Sequence, residues 1–273
     1  FSVLLFPLNW GIESLKWKLI TAQVQAVSFY TAQKSVYAGI CVGNLAPGRA
    51  TEFLAKIHFF NPENRLAITV LHFVNGMFQL SITITVGLFC LLVLGASTEN
   101  SGNSLVYWAV ALSILLLVIF VLALFSINKL VAWVYKKFLS IKNKPISVYK
   151  WSTRLLSALF ILSLLRYAVF ILQFYFLFSG LGLWQSHNGI LAGIGVYFLL
   201  TTIIPMFSVI EPAIRAAIAL LVFESSGMNA VALTAITLLI WIINIVLPSV
   251  VGYIILLREK LGLHSFKLKR KEE

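Results

Sequence analysis

Four stretches of this chain are apolar for long enough to cross a bilayer, and two more are apolar but interrupted. Leu66–Gly95, Leu105–Ile127 and Asn229–Leu257 hold no charged residue, and Leu155–Leu183 holds one, Arg166. A spanning helix needs about 20 apolar residues, so each of the four predicts a transmembrane helix. Thr21–Phe60 is broken at Asn44-Leu-Ala-Pro47-Gly48-Arg49-Ala-Thr-Glu52-Phe-Leu-Ala-Lys56. Gly189–Phe223 is broken at Ile204-Pro205-Met206-Phe-Ser-Val-Ile-Glu211-Pro212-Ala-Ile-Arg215. Neither predicts one clean span.

The basic residues give an orientation. Of the 21 Lys and Arg, 19 fall in three regions: Asn9–Arg65, Lys129–Arg154, and Arg258 to the end. The connections Ala96–Ser104 and Trp184–Asn188 contain none. An excess of positive charge marks cytoplasmic loops, so the three basic regions are expected inside and the two bare loops outside. By parity, Thr21–Phe60 then begins and ends inside, and Gly189–Phe223 begins and ends outside. The first is too polar for two full spans, with Gln23, Gln25, Gln33 and Lys34. A re-entrant helical hairpin fits both regions. Such backbone persists at membrane depth only where protein or a wet cavity covers it.

The expected fold is therefore all-α, a polytopic helical membrane protein with two re-entrant hairpins in an inverted repeat. Residues 1–95 form unit one: a span ending near Pro7, an inward-opening hairpin and Leu66–Gly95. Residues 105–128 are a linking span, and 129–154 a basic cytoplasmic segment at the interface. Residues 155–257 form unit two with an outward-opening hairpin, and 258–273 a basic cytoplasmic tail. The competing reading is six or seven ordinary helices. Phe1–Pro7 looks like the end of a longer apolar helix, so more sequence is expected before Phe1.

Composition agrees with a multi-pass protein of the cell membrane. The chain of 273 residues is 60% hydrophobic and 11% charged, with a net charge of +12. Soluble domains run at about 45–50% apolar and about 25% charged, which makes a soluble enzyme or a disordered chain a poor fit. All nine acids are Glu and none is Asp, which weighs against calcium loops and two-metal hydrolases. Cys41 and Cys90 stand alone in apolar runs and read as small buried hydrophobes. The four His residues have no metal-ligand spacing, and there is no phosphate loop, nucleophile elbow or Ser/His/Asp set. No metal, no cofactor and no catalytic residue is expected.

Charge inside the membrane is costly and marks function or pairing. Glu211 and Arg215 share a helix face, as do Glu52 and Lys56, each pair following a proline where a helix can start. The hairpin tips Pro47-Gly48 and Pro205 then aim helix N-termini inward, and Arg49 and Arg215 beside them suit a phosphate. The competing reading is that Glu52, Lys56, Glu211 and Arg215 only neutralise one another. Arg166, near mid-span, is expected to meet the Glu211/Arg215 tip. His72, Asn75 and Gln79 share a face and read as an interhelical hydrogen-bond seam. Pro248 and Asn244 predict a kink with a polar patch. Gly189 and Gly193 form a GxxxG pair. The basic stretch Lys129–Lys150 suits an anionic leaflet better than nucleic acid.

Five segments also resemble a known family. They are Pro7-Leu-Asn-Trp10-Gly-Ile-Glu13-Ser-Leu-Lys16-Trp17, Asn44–Glu52, Leu165-Arg166-Tyr167-Ala-Val-Phe170, Ile210–Arg215 and Trp241-Ile-Ile-Asn244-Ile-Val-Leu-Pro248-Ser-Val-Val-Gly252. Together they resemble the membrane domain of lysylphosphatidylglycerol synthases and their stand-alone flippase-like relatives. Met206 stands where that family commonly has Gly. The aminoacyl transferase domain of the fused members has no counterpart in these 273 residues. The resemblance thus implies translocation of a phospholipid or lipid-linked sugar, and no aminoacyl transfer. Arg49, Arg215 and Arg166 would bind the anionic headgroup, while Glu52, Lys56 and Glu211 set the charge balance of the tips. Expected partners are an anionic phospholipid or lipid-linked sugar, and a lipid-modifying enzyme or a second copy of the chain; nucleic acid is not expected. The alternative is a non-transporting subunit that docks such an enzyme, and an intramembrane enzyme ranks last.

The orientation is testable by single-cysteine labelling in a background lacking Cys41 and Cys90. In right-side-out vesicles, an impermeant maleimide should label Ser101→Cys, and should reach Ser140→Cys only after the membrane is opened. The reverse pattern inverts the topology.

Overall fold

Pro7 opens a helix in this protein. In the computed structural model α1 runs Phe6–Thr21, with the proline in its first turn, where a missing N–H leaves no bond unmade. Helical structure thus continues past Pro7, near which a span was expected to end. The structure describes residues 1–96, 151–184 and 189–259 and the isolated positions 108, 111, 112 and 115. Apart from those positions, the expected span Leu105–Ile127, the basic segment up to residue 150 and the tail after Glu259 lie outside the described residues.

All regular structure among the described residues is helical. Ser28 caps α2 (Phe29–Gly43), its Oγ accepting from the Thr31 N–H at 3.0 Å. The chain then leaves the helix, makes a tight turn at Pro47–Arg49, and forms the short α3 (Glu52–Lys56). The long α4 spans Arg65–Ala96. Ser152 caps α5 (Thr153–Gly180) through the Leu155 N–H at 3.2 Å. Next come α6 (Ile190–Ile203) and α7 (Glu211–Val222). Pro205 lies in the non-helical stretch between them, and it is Pro212 that opens α7. Asn229 caps α8 (Ala230–Trp241), which continues through a π turn at Ile242–Val246 into α9 (Leu247–Arg258).

That π turn is the kink expected from Pro248. The proline offers no N–H to the carbonyl one turn earlier, and the helix absorbs the mismatch by widening. The Asn244 side chain in the widened turn donates to Gln173 Oε1 at 2.8 Å and to the Ile240 carbonyl at 3.1 Å. It also accepts from Asn9 Nδ2 at 2.8 Å. One amide thereby ties α1 and α5 to the last long helix.

Among the described residues three helices are long and apolar enough to cross a membrane: Pro62–Gly95, Thr153–Gly180 and Ala230–Arg258. Their outer faces carry Phe73, Phe89, Ile161, Leu172, Leu239 and Tyr253 in exposed positions. A soluble monomer does not leave so much contiguous apolar surface to water, whereas lipid accepts it. The buried side chains form two clusters, one around Trp17, Ile40 and Leu71, the other around Phe174, Tyr197 and Ile236.

Helix contacts follow a reciprocal scheme. The α1 helix packs on α5; α2 packs on α9, and α6 packs on α4. Glycine permits the last two approaches. A Cβ at Gly252 of α9 would collide with the Tyr37 carbonyl of α2 and sit 2.9 Å from Cys41 Cβ. A Cβ at Gly87 of α4 would lie 2.5 Å from Leu199 of α6, and one at Gly195 would collide with Cys90. Both cysteines thus face a glycine of the partner helix, in keeping with small interfacial hydrophobes.

Overpacking should follow the backbone here. Gly252→Ala should cost about 1–3 kcal/mol in unfolding of the detergent-purified protein. Gly11→Ala, whose Cβ meets nothing within 4 Å, should be neutral or stabilising by up to about 1 kcal/mol. Equal effects would remove close approach as the reason for Gly252.

Candidate functional site

Asn9, Glu13 and Lys16 line up on one face of α1, flanked by Trp10 and Trp17, and all five are buried. The glutamate is the hub. Its Oε2 accepts from Arg166 Nη1 at 2.8 Å and from Lys16 Nζ at 3.4 Å, while Oε1 accepts from Asn75 Nδ2 at 2.8 Å. Arg166 also donates through Nε to Asn9 Oδ1 at 2.9 Å. Its guanidinium lies 4.9 Å from the Trp10 ring centroid and 5.4 Å from that of Phe170. Aromatic faces shield the cation laterally and attract it. The expected Arg166–Glu211 contact is thus replaced by Arg166–Glu13. A nearer carboxylate on α1 has taken the arginine.

Tip one is built by two glycines. Gly39 and Gly43 are one turn apart on α2, and the stems of Lys56 and Glu52 press against them, at 2.8 Å and 3.1 Å from where a Cβ would sit. This lets α3 lie flat on α2. Lys56, fully buried, pairs with Glu52 at 2.6 Å and lies 3.4 Å from His72 Nδ1. Its ammonium is 4.8 Å from the Trp17 ring centroid. Gly48 and Arg49 both adopt φ of 57°. Glycine takes this left-handed conformation freely, but for arginine it is strained by about 1–2 kcal/mol.

Tip two meets tip one through a backbone bond. The Gly48 N–H donates to the Met206 carbonyl at 3.2 Å, and Pro205 Cβ stands 3.9 Å from the Cβ position of Gly48. On α7, Arg215 holds Glu211 Oε1 through Nε at 2.9 Å and Nη2 at 2.8 Å. Glu211 occupies the first turn of α7, so a carboxylate already faces the positive end of that helix. The α3 helix spans only five residues. Basic side chains, more than helix ends, therefore define the anion-attracting surface.

These groups surround a cavity of about 550 Å³ walled by Arg49, Arg166, Arg215, Glu211 and both tips. A smaller one of about 130 Å³ holds Glu13, Lys16, Glu52, Lys56 and His72. The two share Trp10, Arg49, Gly76, Gln79 and Arg166 in their walls. Five bases therefore meet three carboxylates. Glu13 is shared by two bases, and Glu52 and Glu211 take one each. Among the described residues Arg49 has no carboxylate within ion-pair distance, though it feels the charges of Glu211 and Glu52. The Trp10, Tyr167, Trp241 and Gln79 side chains also line the larger cavity; their buried Nε1, Oη, Nε1 and Oε1 atoms have no hydrogen-bond partner among the described residues. Excess positive charge describes a space suited to an anionic, oxygen-rich group.

Sequence reasoning singled out Arg49, Arg166, Arg215, Glu52, Lys56, Glu211, Pro47, Gly48 and Pro205. Of these, Arg49, Gly48, Pro205, Arg166, Glu211 and Arg215 line the large cavity, and Glu52 and Lys56 the small one. It missed Glu13 and Lys16 as a buried pair, although Asn9, Glu13 and Lys16 fall at helical spacing. It named the Gly189/Gly193 pair and passed over Gly39/Gly43, which has the same spacing. Gly189 caps α6 at φ 88°, and Gly193 packs under Phe223. The seam expected from His72, Asn75 and Gln79 is present in part: Asn75 bonds Glu13 and His72 faces Lys56.

The fold and site together define an all-α, multi-helix membrane protein with a charged interior. No protein-family model matches the chain, and no curated protein matches it. The resemblance to the lysylphosphatidylglycerol synthase membrane domain rests on its short motifs alone.

The Glu13 hub predicts a specific coupling. A double-mutant cycle with Glu13→Gln and Arg166→Gln should give about 0.5–3 kcal/mol. The cycle with Arg166→Gln and Glu211→Gln should give less than about 0.5 kcal/mol. Glu13→Gln alone should destabilise by about 3–5 kcal/mol, because two buried cations lose their shared anion. Reversed couplings in unfolding of the purified protein would place Arg166 with Glu211.

Proposed function

We propose that this protein is a flippase-like translocator, moving a phosphate-bearing lipid headgroup between leaflets through the cavity where its two helix breaks meet. In this reading it forms and breaks no covalent bond. The observation that carries the reading is Arg49: a strained arginine with no ion-pair partner among the described residues, on the wall of a cavity holding more bases than acids. An anionic headgroup would complete that charge balance. Arg166 and Arg215, already half-neutralised by Glu13 and Glu211, would add directional donors.

The reciprocal packing supports an inverted repeat with α2–α3 and α6–α7 as re-entrant hairpins. Exchanging unit one for unit two maps the α2–α9 contact onto the α6–α4 contact, and α1–α5 onto itself. The tips would then meet at mid-membrane, covered by protein on the outside and by the wet cavity within. An interior of this kind lets a charged group pass without crossing hydrocarbon.

Vesicle reconstitution tests the reading. The protein should scramble fluorescent phosphatidylglycerol well above protein-free vesicles. Arg49→Gln should slow this roughly ten- to hundredfold, as expected from losing charge-assisted bonds of about 1.5–3 kcal/mol. Lys34→Gln, at the ion pair with Glu259 on the surface, should leave the rate unchanged. Scrambling at the protein-free rate by well-folded protein would overturn the reading.

A further inference from the structure

A third cavity opens on the lipid-facing side of the same site. It measures about 440 Å³ and lies between the end of α2, the non-helical stretch before α7, and the π-turned helix α8–α9. Cys41, Val209, Val246, Val250 and Tyr253 give it an apolar lining. Asn44 and Ser249 also reach it but hydrogen-bond each other. Val209 is 92% exposed, Val250 51% and Tyr253 57%, so the groove faces outward along the longest apolar stretch of the chain's last helix. Ser208, Trp241 and Ile245 belong to its wall and to the wall of the charged cavity alike. The π turn at Ile242–Val246 forms the partition.

We propose that this groove is an acyl-chain site, and that the charged cavity and the groove together hold one amphiphile. Its tail lies against Val209, Val250 and Tyr253, and its phosphate passes the Trp241–Ile245 partition to Arg49 and Arg215. This deepens the reading of the cavity as a headgroup site and rests on it. A groove of methyl and aromatic surface offers a free anion nothing, whereas a hydrocarbon chain gains contact along its length. Continuity with a basic cavity is what selects an anionic lipid, because bulk hydrocarbon alone would need no charged neighbour. The widening that Pro248 imposes on the helix falls at the level of this partition. A regular turn there would leave neither the Asn244 bridge nor the same wall.

Cys41 reports on the groove directly. In Cys90→Ala it is the single thiol of the chain, and Cys90 lines none of these cavities. The whole chain is reconstituted in phosphatidylcholine vesicles, and the rate of Cys41 modification by a membrane-permeant maleimide is measured. Adding phosphatidylglycerol to the vesicles should slow modification several-fold, and adding Arg49→Gln should remove that protection. Soluble glycerol phosphate should not protect. Val250→Trp, which fills the groove from an exposed position, should slow scrambling at least severalfold. Two results overturn the proposal: equal protection by glycerol phosphate, or no protection by the lipid together with normal scrambling in Val250→Trp. Lipid protection without any scrambling would keep the groove and sink translocation instead. Scrambling that depends on Arg49 but ignores Val250 would do the opposite.

Discussion

Glu13 carries a single negative charge for two buried cations, and most of the interior is arranged around that shortage. Lys16 comes from its own helix, Arg166 from α5, and the Asn75 amide from α4. A buried charge left unpaired costs several kcal/mol, so these three helices have little freedom to separate. Asn9 and Asn244 extend the same network into the last helix, through amides that have no other way to satisfy themselves away from water. The apolar helix surfaces give no direction to packing inside a membrane, because lipid tails are as apolar as leucine. Polar bridges and glycine contacts therefore decide which helix meets which.

The same logic separates structural from functional charge. Lys56 with Glu52, Arg215 with Glu211, and Arg166 with Lys16 and Glu13 are each accounted for by a partner. Arg49 is not, and its backbone is strained as well. A strained cation without a carboxylate partner among the described residues is a poor choice for stability.

The contact between tips is slight by comparison. One backbone bond, from Gly48 to Met206, joins them across the cavity wall. Much larger packed areas hold α2 to α9 and α6 to α4, where glycines let the backbones approach. The breaks are thus anchored at their helical bases and lightly joined at their ends.

Long apolar runs fixed the three long helices from the sequence alone, because a bilayer imposes a length and a polarity that few other settings require. The two interruptions were legible too, since proline and charge cluster there within a few residues. Their charged residues do line the cavities, because an ionisable group in so apolar a chain has nowhere else to go. Partners were not legible. Arg166 has several carboxylates within plausible reach along the chain, and only the packing of α1 on α5 places Glu13 beside it. Lys16 counts as one more basic residue in the sequence, but in the fold it is fully buried. Which glycine pair matters was likewise a tertiary decision: Gly39 and Gly43 face α3, while Gly189 merely caps a helix. Periodicity tells which residues share a face, and the face that faces them is set only when the helices assemble.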